Sequence, residues 1–370
     1  MMKIGISTII DYENYGNRLQ NYALQEVLVN LGHEVETIKN NTNVPKKSRK
    51  ARIISSLKDG SAIKKIGNRL KTVRIHEDQL TSIENRNRSF SNFTNNYINE
   101  TLTEINEKSI DFFYFKKFDL FIIGSDQVWN FEFDRFSALD FIPYANKTQR
   151  VISYAASFGV SQIPKKYEEV YKKGLLNLNS ISVREEAGSK IVHELTSREA
   201  KVVLDPTMLV EINVWNTLAE TSKFNIGEKK YILTYFLGSP LKEQEKYIFN
   251  YAKEKNYRIF QLGKIEDTQC WSAGPDGFVK LFKNAQAIFT DSYHACVFSI
   301  IFEKYFEVFE RNSNDLSMNS RIDTLLSTFN INDCRYKGTE HEKVDYTKVK
   351  IILKKEKENS LDFLNSQIKI

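Results

Sequence analysis

Cysteine is scarce in this chain. Cys270, Cys296 and Cys334 stand far apart and form no CxxC pair. That argues against a disulfide framework and a cysteine zinc site, and it fits a reducing, cytoplasmic setting. No run of about 18 apolar residues occurs, so no membrane-spanning helix is expected. The apolar start, residues 1–10, lacks the charged opening and long apolar stretch of a signal peptide. The glycines behind the first predicted strand make no GxGxxG, so a dinucleotide is not indicated. There is no internal repeat of 20–50 residues and no low-complexity tail.

What is present is a 370-residue chain, 41% hydrophobic and 12% aromatic, long enough for two domains with cores of their own. Short apolar runs alternate with helical spacing. Residues 3–10 read as a buried strand, 19–31 as a helix stopped by Gly32, and 33–38 as a second strand, a β-α-β opening of the Rossmann type. Further strands are expected at 119–123, 150–154, 180–183 and 201–204. A second α/β rhythm begins after a linker at 225–230, with strands at 231–236, 258–262, 287–290 and 305–309. The expected fold class is therefore α/β, with two Rossmann-like domains. The first spans 1–224 and carries a basic helical insertion near 43–106. The second spans 225–370, and its C-terminal helix is placed to pack back on the first.

The formal charge of +6 is unevenly spread. Between Lys46 and Arg74, eleven lysines and arginines face a single acid, Asp59. Ile63, Ile66, Leu70 and Val73 recur there at helical spacing. Such a segment suits an anionic membrane surface or a solvated helix on its own domain. No nucleic-acid motif accompanies the charge, so nucleic acid is not an expected partner.

Open α/β sheets bind ligands at the carboxyl ends of their strands. Polar residues at those ends are the candidates, each with an ordinary capping or surface role as its alternative. Asn17, Arg18 and Gln20 follow the first strand. Gly124-Ser125-Asp126-Gln127-Val128-Trp129-Asn130 follows another, and Arg184 a third. The most suggestive stretch is Thr290-Asp291-Ser292-Tyr293-His294-Ala295. It reads as a strand end, two residues suited to N-capping, and a histidine in the first helical turn, where free amides favour an anion.

Taken in order, residues 14–25, 119–130, 182–185, 204–207, 290–306 and 320–326 resemble the polysaccharide pyruvyl transferase family. The resemblance implies two Rossmann-like domains facing across a cleft, as in GT-B glycosyltransferases. It also implies transfer of a pyruvyl group from phosphoenolpyruvate to a sugar, usually as a cyclic ketal. Some relatives carry Arg-Leu-His-Gly where this chain has Ser292-Tyr293-His294-Ala295, which is closer to the family's Ser-Phe-His-Gly form. The resemblance accordingly implies His294 and Asp126 as catalytic residues, and Arg184, Ser292, Tyr293, Asn17 and Arg18 around the donor. Gln127 and Trp129 are expected toward the acceptor. The scheme requires no metal or cofactor beyond the co-substrate. The acceptor is a saccharide, free or polyprenyl-linked, and in the latter case segment 46–74 would meet the inner membrane face. Two other classes share the fold: a GT-B glycosyltransferase using a sugar nucleotide, and a non-catalytic lectin-like protein.

Overall fold

The computed structural model describes residues 1–42, 77–227, 229–311 and 319–368. The basic segment 46–74 lies outside them.

The apolar runs form parallel strands, with both faces of each sheet covered by helices. In the first lobe β1 (Lys3–Ser7), β2 (Glu34–Asn40), β3 (Glu100–Ile105), β4 (Leu120–Ile123) and β5 (Arg150–Ser153) make one sheet in the order β3-β2-β1-β4-β5. Ile4 lies opposite Val35 on one side and Leu120 on the other. Bridges from Ile152 to Ser180 and from Ala156 to Val183 dock β6 (Ser182–Val183) beside β5, and β6 pairs with β7 (Lys201–Val202). In the second lobe β8 (Tyr231–Tyr235), β9 (Arg258–Leu262), β10 (Ala287–Thr290) and β11 (Tyr305–Val308) form a parallel sheet in the order β11-β10-β8-β9. The expected pair of Rossmann-like sheets is present. Strand order reverses between β1 and β4 and between β8 and β10, and such switch points open a crevice at the carboxyl strand ends.

The helix Tyr15–Asn30 links sheet and site. The Asn14 side chain caps it by accepting from the Asn17 amide, and Gly32, at φ 87°, lets the chain turn away. Almost every residue from Tyr15 to Leu28 is buried, because the second lobe covers the face that the sheet does not. The Tyr15 ring meets Phe278 and Tyr235, and its hydroxyl donates to the Ala273 carbonyl.

The polar stretch read as helical up to about residue 106 is helical only from Glu77 to Tyr97 in the described part; residues 100–105 are β3. The sequence Glu-Thr-Leu-Thr-Glu-Ile buries Thr101 and Ile105 but exposes Leu102 and Glu104, as an edge strand can. Its apolar signal is accordingly weak. The helix Glu77–Tyr97 also ties the lobes together. Arg86 lies over the rings of Tyr15, Phe90 and Trp271 and donates to the Glu13 carbonyl. One apolar cluster runs through both lobes, from Ile4, Leu19 and Leu120 to Phe278, Phe298 and Leu326.

The last helix, Tyr346–Ile368, lies against the first lobe. Its Ser360 hydroxyl accepts from the Leu204 amide, and its Asn359 and Gln367 carbonyls accept from Lys201 and Arg150. No helix among the described residues is long and apolar enough to cross a membrane.

Candidate active site

The carboxyl ends of β4, β6 and β10 converge on one buried charge network. Behind β4 the chain turns sharply and presents Asp126 to this network. Gly124 permits the approach, since a Cβ there would stand 2.3 Å from the Tyr154 carbonyl. Asp126 itself is left-handed, at φ 70°, a conformation that aspartate tolerates better than most residues. Its carbonyl accepts from the amides of Val128 and Ser157, which fixes the turn.

This geometry directs the Asp126 carboxylate at Arg184, just past β6. The two lie 3.2 Å apart, and the other arm of the guanidinium reaches Asp205 at 2.8 Å. Asp205 begins the short turn Pro206–Met208. Its Oδ1 accepts from both the amide and the hydroxyl of Thr207, and its Oδ2 also accepts from the Ser125 hydroxyl. Asn17 approaches Asp126 from the helix behind β1, with Nδ2 at 3.5 Å from Oδ2.

The second lobe closes the network. The Arg184 guanidinium lies 4.3 Å from the centre of the Tyr293 ring, a cation–π contact. His294 Nε2 stands 3.6 Å from Asp205 Oδ2. The ring of His294 rests on the backbone of Gly16, so closely that a Cβ at that position would fall 2.1 Å from Nδ1. Arg321, from the helix Ser320–Thr328, is buried and feels the charges of Arg184, Glu185 and Asp126. Burial and the neighbouring Arg184 bring its pKa down to about 10.

The electrostatics follow from this packing. Burial opposes ionisation of Asp205, but the charges of His294 and Arg184 outweigh it and hold the carboxyl well below its ordinary range. Asp126 is likewise held low: burial is overcome by Arg184, then His294 and Arg321. Glu185 behaves oppositely, its pKa raised by burial; one oxygen accepts from Ser157 and Phe158, and the other has no partner. The site thus holds two carboxylates held in the ionised form, one histidine, and an arginine from each lobe.

Several expected site residues sit elsewhere or act differently. Arg18 is fully buried beside the network, paired with Glu100 and donating to the Ile9 carbonyl, so it braces the loop behind β1. Trp129 is a core residue, stacked on Phe141 with its indole nitrogen turned to the Asp140 carbonyl. Gln127 is half-buried; its side-chain oxygen accepts from Asn130, next to Gly159. Ser292 occupies the N-cap position of the helix Tyr293–Ile301 but makes no side-chain cap bond. Nor does Asp291 cap that helix: its carboxylate accepts from the amides of Leu237 and Gly238, at 2.7 Å each, and from Arg311. Conversely Gly16, Glu185, Asp205, Thr207 and Arg321 all lie in the motif stretches but carry no local signal that sets them apart from ordinary capping, turn or surface residues.

Two α/β lobes meeting at their carboxyl strand edges, around one histidine and a set of arginines and carboxylates, define a group-transfer type of site. The chain belongs to the polysaccharide pyruvyl transferase family, whose model matches residues 14–313. No individually curated protein sequence matches it. Among solved structures it is similar to the UDP-GlcNAc 2-epimerase of Methanocaldococcus jannaschii, with 11% identity, TM-score 0.48, and 95% and 92% of the two chains covered. It is also similar to the Neisseria meningitidis UDP-GlcNAc 2-epimerase bound to UDP-GlcNAc, with 9% identity, TM-score 0.47 and full coverage of both chains (100% each). The wall teichoic acid polymerase TagF aligns with 10% identity and TM-score 0.42, covering 98% of this chain and 83% of that one.

Proposed function

We propose that the protein transfers the pyruvyl group of phosphoenolpyruvate to a sugar of a surface polysaccharide or its lipid-linked precursor, closing a cyclic ketal and releasing phosphate. The observation that carries this reading is the cross-lobe cluster of His294, Asp205, Arg184, Asp126 and Arg321.

The reaction needs a proton at C3 of the enol, a sugar oxygen at C2, and departure of phosphate. His294 supplies the proton and Asp126 orients the acceptor hydroxyl as a fixed hydrogen-bond acceptor. Arg184 holds the two carboxylates in place. The donor's carboxylate and phosphate then fall to Arg321 and to the first-turn amides of the helix Tyr293–Ile301, which carry no side-chain cap. Ser292, Tyr293 and Asn17 border that space. A second hydroxyl of the same sugar attacks C2 to complete the ketal.

One observation weighs against a sugar-nucleotide donor. In a Rossmann-like lobe the amides after the first strand are the usual diphosphate contacts. Here those of Leu237 and Gly238 are already taken by Asp291. No cofactor enters this scheme, which is set in the cytoplasm, at the inner membrane face if the acceptor is lipid-linked.

The test is incubation of the purified chain with phosphoenolpyruvate, and separately with UDP-sugars, over a panel of galactosides, glucosides and mannosides. Phosphate release with an acceptor mass gain of one pyruvyl ketal supports the reading. Nucleoside diphosphate release, with phosphoenolpyruvate untouched, refutes it.

A further inference from the structure

We infer that Asp205 is the residue that positions His294, holding the Nε2 proton so that Nδ1 carries the proton in the reaction. This rests on the pyruvyl-transfer reading for its chemistry and on geometry for the pairing.

Nε2 of His294 is enclosed and makes no hydrogen bond; the acceptor it faces is Asp205 Oδ2, at 3.6 Å. Such contacts tighten when substrate binds. Nδ1 lies against Gly16, where the missing side chain leaves the ring its place. Asp205 is suited to this role because its other contacts are all donors: the Thr207 amide and hydroxyl on Oδ1, the Ser125 hydroxyl and Arg184 on Oδ2. Surrounded by donors, the carboxylate only accepts. A ring nitrogen facing an acceptor keeps its hydrogen, which fixes the tautomer of the neutral ring. Nδ1 is then bare in the neutral form and loaded in the cation.

In the forward step the Nδ1 proton passes to C3 as the C2–C3 π pair forms the new C–H bond. The acceptor oxygen bonds to C2, and its proton returns to Nδ1. The C2–O bond to phosphate then breaks, the second hydroxyl bonds to C2, and its proton leaves with the departing phosphate. Asp205 touches none of the reacting atoms in this step. It sits in the first lobe and His294 in the second, so the pair exists only with the lobes juxtaposed as they are.

The experiment is a long-range proton–nitrogen correlation spectrum of the full chain labelled with 15N-histidine, at about pH 8.5, well above the ordinary histidine range. His294→Asn identifies the resonances of His294. The wild type is expected to show a protonated Nε2 and a bare Nδ1. Asp205→Ala removes the acceptor that faces Nε2. The tautomer is then expected to invert or split, and phosphate release from phosphoenolpyruvate to fall about 100-fold or more. The other four histidines of the chain report whether the fold is intact. A wild-type ring protonated at Nδ1 overturns the inference, as does an unchanged tautomer in a folded Asp205→Ala. If that variant does not fold, the wild-type spectrum alone decides. Because the spectrum needs no substrate, absence of phosphate release sinks the transfer reaction without touching the pairing.

Discussion

Replacing Gly16 by alanine separates the position of the His294 ring from the stability of the fold. The new methyl group would lie 2.1 Å from Nδ1, 2.6 Å from Cγ and 2.7 Å from Cε1 of His294, where ordinary contact begins near 3.4 Å. The ring must therefore move by roughly 1 Å, since the backbone of the helix Tyr15–Asn30 is clamped between sheet and second lobe. Overpacking costs about 1–3 kcal/mol, and alanine in a helix returns about 1 kcal/mol relative to glycine. The net loss of stability is then about 0–2 kcal/mol. A displacement of about 1 Å at a proton-transfer group costs on the order of 100-fold in rate. The expectation is a folded protein whose kcat falls about 100-fold, with the KM for phosphoenolpyruvate changed only a few-fold. Denaturant unfolding measures the first quantity, and continuous phosphate release with a working acceptor the second. Near-wild-type turnover in Gly16→Ala would refute the assignment of His294, because the reaction would then be indifferent to where that ring sits.

Four further outcomes are expected. His294→Ala should lose about 100-fold or more in turnover while unfolding near the wild-type denaturant midpoint. Arg321→Gln should weaken phosphoenolpyruvate binding by roughly 10-fold or more, as loss of a charge-assisted contact does; unchanged affinity by calorimetry would remove Arg321 from the donor site. Trp129→Ala should cost about 3–5 kcal/mol of stability through the cavity it leaves in the core, and a variant that keeps its stability but loses acceptor affinity would restore the acceptor role. The fourth concerns pH. Asp126 and Asp205 have folded pKa values below their unfolded ones. Each therefore contributes stability that is fully present above the unfolded value, about 4, and is lost as the pH falls toward the folded one. Urea midpoints should drop below about pH 4 in the wild type and drop less steeply in Asp126→Asn; equal slopes would show that the Asp126 charge is not held by Arg184.

The strand ends show where local reading reaches its limit. Glu100 to Ile105 escaped it because an edge strand needs only one buried face, and two inward residues leave little period to detect. Arg18 and Arg321 show the same limit for charge. Both lie within motif stretches, yet Arg18 turns to Glu100 and Ile9 while Arg321 enters the site from the other lobe. Asp291 looked like a helix cap because aspartate at a strand-to-helix junction usually is one. Its carboxylate instead satisfies two amides of a neighbouring loop that no local pattern connects to it.

By itself the sequence determined the alternation of strands and helices, the pair of Rossmann-like sheets, and the strand ends that carry the polar residues. All of these follow from hydrophobic period and turn chemistry, which act over a few residues. Only the tertiary structure decided which of those residues meet. Asp205 and His294 belong to different lobes, and Gly16 to a third segment. Their contact depends on how two independent sheets are clamped face to face by Tyr15, Arg86 and the shared apolar core. Orientation about a single side-chain torsion decides whether an arginine binds a ligand or braces a loop, and that choice is made by packing among segments distant in sequence.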